Sequence, residues 1–118
     1  MSETTQSSDL EQNKMIIRNF VQEVLNRHDI EAADKYFPEE DPIQFKQFLS
    51  RFFQRLPDSR TTIDHIIAEN DMVVLIMTGA ATDKQTGKRV TMKAADLYRI
   101  DKGRIAEHWD VVDRSEIQ

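Results

Sequence analysis

The chain reads as an α+β domain in which three helices come first and an antiparallel meander of four strands follows. Three observations carry that reading. Apolar residues recur at helical spacing as far as Pro57. Beyond it the composition shifts to Thr, Ile and Val in short runs. Those runs are separated by tight turn signals such as Asp101-Lys102-Gly103, which join strands as antiparallel neighbours.

Residues 1–8 are polar and lack aromatics, and they read as a disordered tail before a single domain over 9–118. Ser8 and Glu11 have the spacing of a capping box. Ile17, Phe20, Val21, Val24 and Leu25 then form one apolar stripe, which predicts a helix from Asp9 to Asn26. Asp29 can cap a short second helix through Tyr36, which Pro38 stops. Asp41-Pro42-Ile43-Gln44 is a third start signal, with Asp at the cap and Pro at the first helical position. Phe45, Phe48, Leu49, Phe52 and Phe53 follow, so this third helix must face something large and apolar.

The strands are expected at 60–69, 72–82, 89–100 and 104–113, with a loop over 83–88. Met72 to Thr82 is so apolar that both of its faces should be covered. If the sheet curls around the aromatic third helix, a cone-shaped cavity results.

Composition narrows the function classes. With 118 residues the chain can bury a real core. Its net charge of −5 argues against broad binding to nucleic acid phosphates. The absence of cysteine excludes disulfides, thiolate catalysis and Cys-ligated zinc or iron–sulfur clusters. No apolar run is long enough to cross a membrane, and residues 1–13 do not look like a signal peptide, so a cytoplasmic protein is expected. The three histidines and the acids lack metal-ligand spacing, and no phosphate-binding glycine loop or nucleophile elbow is present. No metal site is therefore expected.

The last hairpin carries the candidate chemistry. If Lys102-Gly103 is a two-residue turn, Ile100 pairs with Ile105, Tyr98 with Glu107 and Asp96 with Trp109. Side chains alternate along a strand. Met92, Asp96 and Tyr98 then share the helix-facing side with Glu107, Trp109 and Asp113, while His108 and Asp110 face outward. An acid on an apolar face is costly unless paired or protonated, and desolvation raises its pKa into the range of a useful base or neutral donor. The bland alternative is a solvated or Arg-paired acid at a strand end, and Asp113 adjoins Arg114. A bulge between Trp109 and Val112 would instead turn Asp110 inward.

Three stretches carry a family resemblance: Ile63 to Val74 (IDHIIAENDMVV), Ala95 to Ile100 (ADLYRI) and Lys102 to Asp113 (KGRIAEHWDVVD). Together with the order of helices and strands, they resemble the SnoaL-like polyketide cyclases of the nuclear transport factor 2-like, or ketosteroid isomerase-like, superfamily. The resemblance covers about residues 13–113. It implies a cone-shaped, barrel-like fold with a deep pocket, commonly dimeric. Such cyclases close a ring by intramolecular aldol condensation without metal or organic cofactor, using an aspartate at the end of the last strand as general base. By position that aspartate is Asp113, with Asp96 and Tyr98 as the assisting polar groups on the preceding strand. The chain departs from many members in having no His in Tyr36-Phe37-Pro38-Glu39-Glu40 and a short, His-free loop over 79–88.

The expected function is accordingly a small cofactor-free lyase or isomerase. Its substrate is a small apolar molecule bearing a carbonyl, held by Trp109, Tyr36, Phe52, Met92, Glu107 and His65. His65 alternates with Ile63 and Ile67 and has a plain structural role as its alternative. His28 ends a helix, where a cation suits the dipole, and His108 suits a dimer contact. The rival functions are a non-catalytic binding module for a small apolar ligand, and an assembly protein that forms a homodimer through its outer sheet face. Fold likeness alone does not choose among the three.

Overall fold

The computed structural model describes residues 7–38 and 42–113, with side chains over 9–38 and 42–111. Most of the expected tail, and Asp41 of the third start signal, lie outside the described residues. Helix α1 runs Ser7–Phe20 and continues without a break into a π-helical turn, Val21–Asn26. The expected helix therefore ends in a wider turn, marked by the Arg27 N–H bonding five residues back to the Gln22 carbonyl. Val21 and Val24 both stay buried through it. The turn also delivers Asn26 to the sheet edge, where its side chain accepts from the Thr61 N–H at 2.6 Å and donates to the Thr61 carbonyl at 3.0 Å.

Asp29 caps the second helix as expected, accepting from the Ala32 N–H at 3.2 Å, but the helix is 3₁₀ in type and spans Ile30–Lys35. Helix α2 spans Ile43–Arg55, with Pro42 at its cap position. Lys46 ties α2 to the 3₁₀ helix through Glu31 and Asp34.

The sheet has the order β1-β2-β3-β4, all antiparallel, over Arg60–Glu69, Met72–Thr82, Arg89–Asp101 and Arg104–Asp113. It is not closed, since β1 and β4 are both edges. Helix residues Ile17, Phe20, Val24 and Leu49 form one buried core with Val73, Leu75, Tyr98 and Ile105 of the concave face.

Two bulges reset the faces. In the last hairpin Lys102 and Gly103 both have positive φ, the geometry of a two-residue turn, and Ile100 pairs with Ile105 as expected. Arg99 then pairs with Glu107, leaving Ala106 as an extra residue. From there the register is one residue off the regular one. Tyr98 lies opposite His108, not Glu107, and Asp96 opposite Asp110, not Trp109. Two contacts hold the shift: the Ile105 N–H bonds the Tyr36 carbonyl at 2.6 Å, and Arg99 Nε donates to Glu107 at 2.5 Å. The second bulge lies between Ile63 and His65. It leaves Asp64 unpaired in the ladder, accepting from the Thr78 hydroxyl at 2.6 Å, and puts His65 and Ile67 on the opposite face from Ile63.

The expectation that both faces of β2 are covered does not hold among the described residues. Val73 and Leu75 are buried, but Ile76 on the opposite face is exposed. Its neighbours on that face include Ile67 (55% exposed), Trp109 (47%) and Val111 (59%).

Candidate functional site

The helices and the concave face of the sheet enclose a cavity of about 210 Å³. All six phenylalanines of the chain line it: Phe20, Phe37, Phe45, Phe48, Phe52 and Phe53. The dense Phe pattern of α2 is thus wall as well as core. Met77 and Met92 extend the apolar lining from the sheet side, polarizable groups that adapt to an irregular ligand.

The chemistry gathers where β3 meets β4. Asp96, Tyr98, His108 and Asp110 all line the cavity. Asp96 and Asp110 are direct register partners, and so are Tyr98 and His108. Asp96 is only 8% exposed, while the Asp110 side chain is 56% exposed at the edge strand. The Tyr98 hydroxyl donates to Asp96 Oδ2 at 2.9 Å. Burial pushes the Asp96 carboxyl up to about 7, and the charge of Asp110 adds to the rise; the Tyr98 hydrogen bond opposes it. Burial, then the nearby Asp96 charge, likewise hold the Tyr98 phenol well above its ordinary range. Burial thus favours the protonated form of Asp96, which it would not do for an exposed carboxyl.

The expected site residues sort into two groups. Asp96, Tyr98, Phe52 and Met92 line the cavity. Tyr36 does not, because its hydroxyl donates to Glu23, which also binds Lys35, and the ring packs against Phe20 at the helix junction. Glu107 and Trp109 are turned away by the bulge. Glu107 is exposed and held by Arg99, and Trp109 joins the outer row with Leu97, Val74 and Ile67. His65 is exposed through the β1 bulge and is absent from the cavity wall. Asp113 pairs with Lys93, at a strand position of the parity of Trp109 and Val111 rather than of Asp110; its side chain lies outside the described residues. The acid opposite Asp96 is therefore Asp110, brought there by a bulge at Ala106 and not by one between Trp109 and Val112.

His108 and Asp110 are the residues the regular hairpin misplaces. One signal for the bulge was legible. Arg99 and Glu107 make a favourable cross-strand charge pair, and placing them opposite each other demands an extra residue before Glu107. Among the described residues no group of three His, Asp or Glu side chains is arranged to hold a metal ion. No described helix is long and apolar enough to cross a membrane.

An open, curved four-stranded sheet wrapped over helices, with a carboxyl pair in an aromatic cavity, defines a cone-shaped fold of the nuclear transport factor 2-like kind. The model of the SnoaL-like polyketide cyclase family matches residues 15–118, and the chain belongs to that family. A solved structure assigned as a polyketide cyclase from Acidithiobacillus ferrooxidans is similar at 28% identity and a TM-score of 0.78, over 99% of this chain and 94% of that one. A SnoaL-like polyketide cyclase from Agrobacterium tumefaciens shares the fold at 17% identity and a TM-score of 0.79, over 89% and 94%. So does an epoxide hydrolase of the LEH-like type from M. tuberculosis, at 18% and 0.74, over 92% and 84%. None of the curated protein sequences matches the chain.

Proposed function

We propose that the protein is a cofactor-independent lyase or isomerase acting on a small, largely apolar carbonyl compound. Asp110 is its general base, and protonated Asp96, oriented by Tyr98, is its general acid. The observation that carries this reading is the register pairing of Asp96 with Asp110 at the wall of a largely apolar cavity. Asp110 removes the proton α to the carbonyl, and Asp96 gives its proton to the oxygen where negative charge develops. In a ring closure Asp96 only hydrogen-bonds the enolate oxygen; the enolate carbon bonds to a second carbonyl carbon of the same substrate, that carbonyl's π pair moves to its oxygen, and the Asp96 proton ends there as the new hydroxyl. Asp110 then holds the abstracted proton, and transfer within the pair restores the starting state. A low-dielectric cavity strengthens both steps.

The test needs no knowledge of the natural substrate. Solvent exchange of the α-protons of 2-tetralone, followed by proton NMR in D₂O, reports enolisation directly. Wild type should exceed buffer, and Asp110→Asn should lower the rate by ~10²–10⁴-fold with an unchanged fold. Exchange no faster than buffer for the wild type would sink the catalytic reading. The second reading, a binding module for an apolar ligand, is favoured by the phenylalanine-rich wall; it expects tight 2-tetralone binding, no exchange, and undiminished binding by Asp110→Asn.

A homodimer through the outer sheet face accompanies this proposal. Ile67, Val74, Leu97 and Trp109 form one row across all four strands, and Ile76, Ala95 and Val111 lie in the next. A contiguous apolar face of this kind marks a contact surface. A second copy presents the same rows and can cover them symmetrically.

A further inference from the structure

Strand β4 has two ways to lie against β3. In the observed register Arg99 faces Glu107 with Ala106 as the extra residue, and His108 and Asp110 reach the cavity. With Ala106 taken into the ladder, Tyr98 would face Glu107 and Asp96 would face Trp109, because a one-residue slip exchanges the two faces of a strand. β4 is an edge strand, so only its pairs with β3 have to change.

Apolar burial within one chain favours the slipped register. Trp109 and Val111 are exposed on the convex face, and the slip would turn both toward the cavity. Residue 107 opposes it. The place opposite Tyr98 is closed, since Tyr98 is only 2% exposed. The His108 ring fills that place, nearly parallel to the Tyr98 ring at 6.0 Å, with Phe37 and Phe45 tilted against it at 6.3 and 6.2 Å. A carboxylate carried there would lose its water, and the Tyr98 hydroxyl is already given to Asp96. In the observed register Glu107 is solvated and accepts from Arg99 Nε at 2.5 Å. An exposed ion pair contributes little by itself, so the exclusion of the carboxylate from the core decides the register. Asp110 escapes the same penalty because its place, opposite Asp96, opens to solvent.

We propose that Glu107 is a positioning residue: it selects the register of β4 and so delivers Asp110 to the cavity. The catalytic consequence rests on the acid–base reading above; the choice of register does not.

NMR of the wild type and of two variants of matched side-chain length tests this. In the wild type, cross-strand NOEs should join Leu97 to Trp109 and Tyr98 to His108. Glu107→Gln keeps a polar group and should keep those NOEs. Glu107→Met is apolar and can enter the core, so NOEs should appear instead between Tyr98 and residue 107 and between Asp96 and Trp109. Exchange of 2-tetralone protons should fall by ~10-fold or more, following the fraction of chains left in the competent register. Deleting Ala106 from Glu107→Met supplies the rescue. Without the extra residue, plain alternation sets Arg99 against residue 107 and Asp96 against Asp110, so the wild-type pairs and the exchange should both return. A residue that only stabilised the fold would gain nothing from that deletion. If Glu107→Met keeps the wild-type NOEs, the inference is overturned whatever the exchange rate. A slip in Glu107→Gln as well would overturn exclusion from the core as the cause. If the NOEs move as expected but the wild type does not catalyse exchange, the acid–base reading fails and the selection of register stands. Should Glu107→Met not fold, Glu107→Leu with the same deletion decides by the same NOEs.

Discussion

The two faces of the one sheet are built from alternate residues of the same strands, yet they meet opposite fates. The concave face takes Val73, Leu75, Tyr98 and Ile105 into the core and holds a buried carboxyl at Asp96. The convex face carries residues just as apolar, Ile67, Ile76, Trp109 and Val111, and among the described residues these stay exposed. Hydrophobicity therefore does not distinguish inside from outside here. The helices can cover only one face, and the polar groups that earn a place inside are those with partners.

Neighbouring residues of β2 put the contrast to the sharpest test. Leu75 is fully buried and Ile76 is exposed on the other side. Leu75→Ala should destabilise the chain by ~2–5 kcal/mol, since a cavity is left in the core. Ile76→Ala should cost less than ~1 kcal/mol in dilute solution, as expected of a partly solvated site. Urea denaturation of the two variants measures both, and equal losses would break the distinction between the faces.

A smaller effect is expected at the buried acid. The Asp96 carboxyl titrates at ~4 in the unfolded chain and at about 7 when folded. Across that window the folded state binds the extra proton, so stability falls as pH rises from about 4 to about 7. Asp96→Asn, whose carbonyl can still accept from Tyr98, removes the penalty. It should be close to neutral at pH 4 and stabilising by ~1–3 kcal/mol at pH 8. A stability difference that does not change with pH would show that Asp96 is not the desolvated group.

The smallest change in stability should come from the convex face. Val111→Lys replaces a side chain that is 59% exposed. It should alter folding stability by no more than ~0.5 kcal/mol. If the face is a dimer contact, light scattering at micromolar concentration should show a dimer for the wild type and a monomer for the variant. A wild-type monomer would remove the dimer from the proposal.

Much of this molecule was determined by local sequence alone. Apolar spacing and start signals located the helices, and Asp29 caps its short helix as its position dictates. The change of period after Pro57 and the turn residues located four strands, and the Lys102-Gly103 turn paired Ile100 with Ile105. These features depend on neighbours within a few residues, so the sequence displays them. The aromatic wall was half legible: the Phe spacing of the third helix demanded an apolar partner, and only packing made that partner partly empty space. Tertiary structure decided which acids meet, with the Arg99–Glu107 charge pair as the one hint in the sequence. Ala106 is an unremarkable residue, and it leaves the ladder because Ile105 is drawn to the Tyr36 carbonyl while Arg99 takes Glu107. Both partners come from elsewhere in the chain, and neither is visible in the alternation of β4. Because side chains alternate with a period of two, that one-residue shift moved Glu107 and Trp109 out and brought His108 and Asp110 to the cavity.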